Sequence, residues 1–119
     1  MPPMKPLDKV TPNDADAWWD ELDQRTAEAE DLAKARLSTE FPIARLDLFT
    51  SGDSAKAVIY LETKAGRLAA LENGVEKRCA QIVGGSLFAA LLPFATAKIV
   101  VDSVEEMNGR GDTFTTPFR

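Results

Sequence analysis

The chain has 119 residues, a formal net charge of −5 and a sequence pI of about 4.7, with 45% apolar and 28% charged residues. That length suits one domain, and the composition excludes a disordered chain. The acidic balance counts against phosphate-backbone binding, which rests on clustered Lys and Arg, so no nucleic-acid partner is expected.

Residues 1–10 carry three prolines, two lysines and no apolar period, and read as an extended N-terminal arm. They contain no apolar run that would serve as a signal peptide, so a cytoplasmic or particle-associated protein is expected, not one secreted through such a peptide. A single α+β domain is expected over residues 11–107. It opens with a long amphipathic acidic helix. Thr11 is read as its N-cap, with Pro12 at the first helical position and Asp14 where a carboxylate favours the helix N-terminus. Ala15, Trp18, Leu22, Thr26, Ala29, Ala33 and Leu37 form one helical stripe, widened by Trp19 and Leu32. Glu21 with Arg25 and Glu30 with Lys34 are i,i+4 pairs in the favourable order. The helix is expected to stop near Ser38, because Pro42 restricts Phe41.

Residues 43–49 alternate as a half-buried strand, with Ala44, Leu46 and Leu48 on one face. Residues 50–54 are a turn cluster, and residues 57–63 form a second, more apolar strand, giving an antiparallel hairpin. Leu68, Leu71, Val75, Cys79 and Ile82 fit a helical stripe over about 67–83, ending at Gly84 and Gly85. Asn73-Gly74 would then sit inside that helix, at a cost of about 1 kcal/mol for the glycine. The competing reading makes residues 67–71 a third strand and starts the helix at Val75. Ser86 is read as the cap of a short helix over 87–92 that Pro93 breaks. Residues 98–104 read as the final strand, and residues 108–119 as a C-terminal arm.

The nineteen residues 79–97 carry no charge, a length that could cross a bilayer. Gln81, the glycine pair and Pro93 argue for a buried core helix instead, so membrane association through 79–97 is the less favoured reading.

There is no histidine in the chain. That removes Ser-His-Asp and Cys-His nucleophile systems and the commonest metal ligand. One cysteine permits no intramolecular disulfide, and without histidine no structural zinc site is expected. No phosphate loop of familiar spacing is present, so neither cofactor nor catalytic residue is assigned. Gly52-Asp53-Ser54 spells a serine-hydrolase triplet but lacks a histidine base, and reads as a turn. Ser54 and Lys56 as a dyad, and Asp102 as a metal-binding strand end, are likewise better read as ordinary surface positions. Arg110-Gly111-Asp112 spells an integrin-binding triplet in what reads as a polar loop. Cys79 has Lys77 and Arg78 nearby to lower its pKa, but it falls on the apolar stripe and reads as core.

Two features stand out. Residues 14–31 hold eight acids and one base, Arg25. They are either a solvated helix face or a carboxylate surface for a basic partner. Trp18 and Trp19 are adjacent, so they point about 100° apart; either the stripe buries Trp18 and leaves Trp19 at its edge or beyond it, or a wide stripe buries both. A partly exposed tryptophan is a typical interface anchor. Trp19, Asp16, Asp20 and Asp23 are therefore interface candidates. Phe114 and Phe118 join them as side chains that could plug a neighbour's pockets from a proline-stiffened arm. The leading expectation is a non-enzymatic structural or interaction subunit of a larger assembly, of a size that fits a bacterial or phage component. Its partners would be other protein subunits, copies of itself included. A small acidic inhibitor or decoy against a basic protein is the main alternative, and a membrane-associated accessory subunit the third.

Overall fold

A computed structural model describes residues 3–112. The long helix α1 spans Ala15–Leu37, starting later than the Thr11 reading expects. The Thr11 hydroxyl does not receive a backbone N–H. It donates to Asp14 Oδ2 at 2.8 Å, and residues 11–14 form a turn closed by Asp14 N to Thr11 O at 3.0 Å. The first helical bond is Trp18 N to Asp14 O, at 2.9 Å. The stripe buries Trp18, Leu22, Ala29, Ala33 and Leu37, as the 3.6-residue period requires, and Ser38 is the C-cap.

Strands β1 (Arg45–Thr50) and β2 (Ala55–Leu61) pair antiparallel, with Leu46 opposite Ile59 and Leu48 opposite Ala57. The hairpin turns through Gly52, whose φ of +90° is open to glycine at no steric cost. Neither reading of residues 67–83 survives whole. Helix α2 (Lys64–Glu72) and helix α3 (Val75–Ala89) are separate, and the chain breaks at Asn73-Gly74, with Gly74 at φ +79°. Thr63 starts α2 by accepting the Gly66 N–H at 3.0 Å.

Helix α3 runs through Gly84 and Gly85 instead of stopping there, and absorbs the short helix expected from Ser86. A Cβ on Gly84 would lie 2.7 Å from the Ala95 carbonyl oxygen, so this glycine serves close packing and not helix termination. Ser86 is buried, and its hydroxyl donates to Ile82 O at 2.8 Å. The apolar run 79–97 is spent on the core: Cys79, Ile82, Val83 and Leu87 are all buried in it. Among the described residues no helix is long and apolar enough to cross a membrane.

Strand β3 (Lys98–Ser103) pairs parallel with β2, giving a mixed sheet in the order β1-β2-β3. Parallel neighbours need a long crossover, which α2 and α3 supply. A short helix not expected from the sequence, α4 (Val104–Gly109), follows directly, its first turn capped by Ser103 Oγ accepting Glu106 N–H at 3.1 Å. The fold is thus α+β, with a long N-terminal helix, a three-stranded sheet and further helices. Helices α1 and α3 cover one face of the sheet, where Leu46, Leu48, Ala57, Ile59 and Leu61 meet Leu22, Ala29, Ala33, Val75 and Leu87. Each large aliphatic side chain fully buried there contributes about 2 kcal/mol. The opposite face carries a smaller cluster of Val58, Tyr60 and Met107, edged by Phe49, Val100 and Val104.

The described part of the N-terminal segment lies on this body. Met4 is buried, and its N–H donates to Leu91 O at 3.1 Å. Leu7–Lys9 makes one 3-10 turn.

Candidate functional site

Trp18 and Trp19 stand at the start of α1 with their rings edge to face, centroids 5.0 Å apart and planes at 90°. The helix sends Trp18 into the core, where its Nε1–H donates to Lys5 O at 2.9 Å. Trp19 points past the edge of the stripe and leans on the hairpin turn. A Cβ placed on Gly52 would sit 3.1 Å from Trp19 Cη2 and 2.9 Å from Leu7 Cδ2, so glycine lets both side chains lie against the turn. Trp19 stays 42% exposed and Leu7 37% exposed. Beside them is a hollow of about 310 Å³ lined by Pro6, Leu7, Gly52, Pro93 and Phe94, with Asp8 and Asp53 also on its walls.

Asp16, Asp20 and Asp23 are exposed and recur at four- and three-residue spacing on one face of α1, so they form a single stripe next to Trp19. Among the described residues none of the three has a cationic partner within 4.0 Å. The structure therefore brings four of the interface candidates together. Phe114 and Phe118 lie outside the described residues. Gly52 and Pro93 were legible only as a turn glycine and a helix breaker, and nothing in the sequence marked Leu7 or Phe94. They come from three separate segments, and only the tertiary fold assembles them.

The one base in the acidic segment is not part of that surface. Arg25 is buried, pairs with Glu21 and donates from Nη1 to Leu91 O at 3.0 Å. Leu91 adopts φ +61°, and its carbonyl thereby receives both Arg25 and the Met4 N–H, tying the N-terminal segment, α1 and the exit of α3 together. Glu30 forms no ion pair with Lys34 among the described residues. Its carboxylate accepts the Leu48 N–H at 2.8 Å instead.

The remaining motifs have structural occupations. Burial pushes the Cys79 thiol up to about 11, which keeps it protonated and unreactive at neutral pH. Lys77 and Arg78 do not offset this: both are exposed, and Arg78 Nε holds Glu40 at 2.7 Å. Within the triplet at 110–112, Arg110 pairs with Asp112 at 2.8 Å and with Asp102 at 2.7 Å. That guanidinium holds the Asp102 carboxyl below the usual carboxylate range. Gly52-Asp53-Ser54 is the hairpin turn. No group of three or more acidic, cysteine or histidine side chains among the described residues is placed to hold a metal ion.

Comparison with family models, with curated proteins and with solved structures finds no match to this chain.

Proposed function

We propose that the chain is a non-enzymatic protein–protein interaction subunit of a larger assembly, and that the N-terminal half of α1 presents its contact surface. The observation that supports this reading is the exposure of Trp19 beside an apolar hollow, inside a field of carboxylates. Solvation alone accounts for acids on the outer face of a helix. It gives no reason to leave a large aromatic ring in water next to Leu7 and the hairpin turn. A buried aromatic anchor within a polar rim is the usual anatomy of an interface. The charge of the rim selects for a partner that brings Lys or Arg.

The stripe of Asp16, Asp20 and Asp23 also favours a second reading, an acidic inhibitor or decoy that blocks a basic protein. The two readings differ in what holds the partner. An anchor-led interface survives moderate salt, whereas a charge-led one weakens steeply as salt screens it.

The test is comparative capture from a native extract by three immobilised forms of the chain: wild type, Trp19→Ala, and Asp16→Asn/Asp20→Asn/Asp23→Asn. The proposal expects a defined protein held by the wild type. Its affinity falls by about thirtyfold or more for Trp19→Ala, the loss typical of a tryptophan at the centre of an interface. Equal retention by all three forms would refute this assignment of the surface. Loss with the asparagine form alone would support the decoy.

A further inference from the structure

The two edges of the sheet are treated differently. On β1 the outward N–H of Leu48 is taken by the Glu30 carboxylate, which blocks the middle of that edge. On β3, among the described residues, no strand pairs with the outer edge. The hairpin closes with Ser51 N to Ser54 O at 3.0 Å, in register with Arg45 opposite Tyr60. The odd-numbered residues of β1 thus bond to β2, and the odd-numbered residues of β2 bond to β3. With Ala57 beside Ile99 and Ile59 beside Val101 in the parallel ladder, the backbone groups of Lys98, Val100 and Asp102 turn toward β2. Those of Ile99 and Val101 turn outward. The next outward N–H, on Ser103, donates to Asp102 Oδ1 at 2.8 Å, so the open stretch ends there. No described side chain caps the N–H of Ile99 or Val101.

We infer that this edge pairs antiparallel with the same edge of a second copy, about a two-fold axis at Val100. In that register Ile99 of one copy stands opposite Val101 of the other, and the outward N–H and C=O groups of both residues are satisfied in each copy. The charges also match. Lys98 falls opposite Asp102 of the second copy, on the same face of the sheet. Within its own chain Lys98 lies in register beside Lys56, a like charge, and among the described residues it has no carboxylate within 4.0 Å. The second copy supplies Asp102, whose carboxylate also holds Arg110 of its own chain at 2.7 Å. Only a self-complementary sequence gives this result. Reading Lys98-Ile99-Val100-Val101-Asp102 against itself sets base against acid at both ends and aliphatic against aliphatic between them. The pair of three-stranded sheets becomes one of six. The contact is small, so it is concentration-dependent rather than permanent. It lies on a different element from Trp19, and either surface can fail without the other.

The experiment is sedimentation of the full chain over a concentration series, with amide hydrogen exchange read at each concentration. The proposal expects a monomer–dimer equilibrium in which the Ile99 and Val101 amides gain protection in step with the dimer. Val101→Pro removes an outward N–H at a position where an edge strand accepts proline. It raises the dissociation constant at least about tenfold while the circular dichroism is kept. Lys98→Glu, a change at an exposed residue, weakens the dimer in the same direction and decides the matter if the proline variant misfolds. A monomer at every concentration overturns the proposal, as does a dimer indifferent to both variants. So does a monomer whose two amides are protected at every concentration, because the edge would then be covered by its own chain.

Discussion

At the scale of single residues, the informative positions are those where a polar group has gone inside. Cys79 is fully buried, and burial pushes its thiol from an ordinary value near 9 to about 11. The neutral form is the one the fold favours. This contribution to stability is therefore complete below pH 9 and is lost as pH rises toward 11, since the unfolded chain releases the proton first. A thiol reagent at pH 8 should leave the native protein unlabelled and modify it fully in denaturant; rapid native labelling would place Cys79 at the surface. Its core role was legible from its place on the apolar stripe with Val75 and Ile82. Arg25 was not legible in the same way. A lone base among eight acids reads as a surface ion pair, and only the Leu91 carbonyl, sixty-six residues further along the chain, explains its burial.

At the scale of elements, period and turn chemistry predicted the long helix, the hairpin and the last strand. Boundaries failed where a side chain did something local that spacing does not encode. The Thr11 hydroxyl turned to Asp14, and the strand reading overran Ser103 into α4 although Ser103 and Glu106 have capping-box spacing. The adjacent glycines of α3 give the sharpest test of why that helix passes through them. Gly84→Ala puts a methyl 2.7 Å from the Ala95 carbonyl and should cost about 1–3 kcal/mol by overpacking. Gly85→Ala meets nothing within 4 Å and should stabilise by up to about 1 kcal/mol through helix propensity. Urea unfolding of the two variants checks the pair, and equal effects of one sign would contradict the packing account.

At the scale of the whole molecule, helical spacing put Trp18 on the core stripe but left open whether Trp19 joins it, and it could not show what surrounds Trp19. Leu7 and Gly52 meet at Trp19, and the hollow they share with Phe94 opens beside it, only because the N-terminal segment, the hairpin turn and the exit of α3 converge there. The interaction reading depends on Trp19 being spare to the fold. The most direct measurement is therefore the unfolding free energy of Trp18→Ala and Trp19→Ala under identical conditions. The account predicts a loss of about 3–5 kcal/mol for Trp18→Ala, the range for emptying a buried aromatic site, and about 1 kcal/mol or less for Trp19→Ala. Losses of similar size would show that Trp19 belongs to the core, and the contact surface proposed on α1 would lose its anchor.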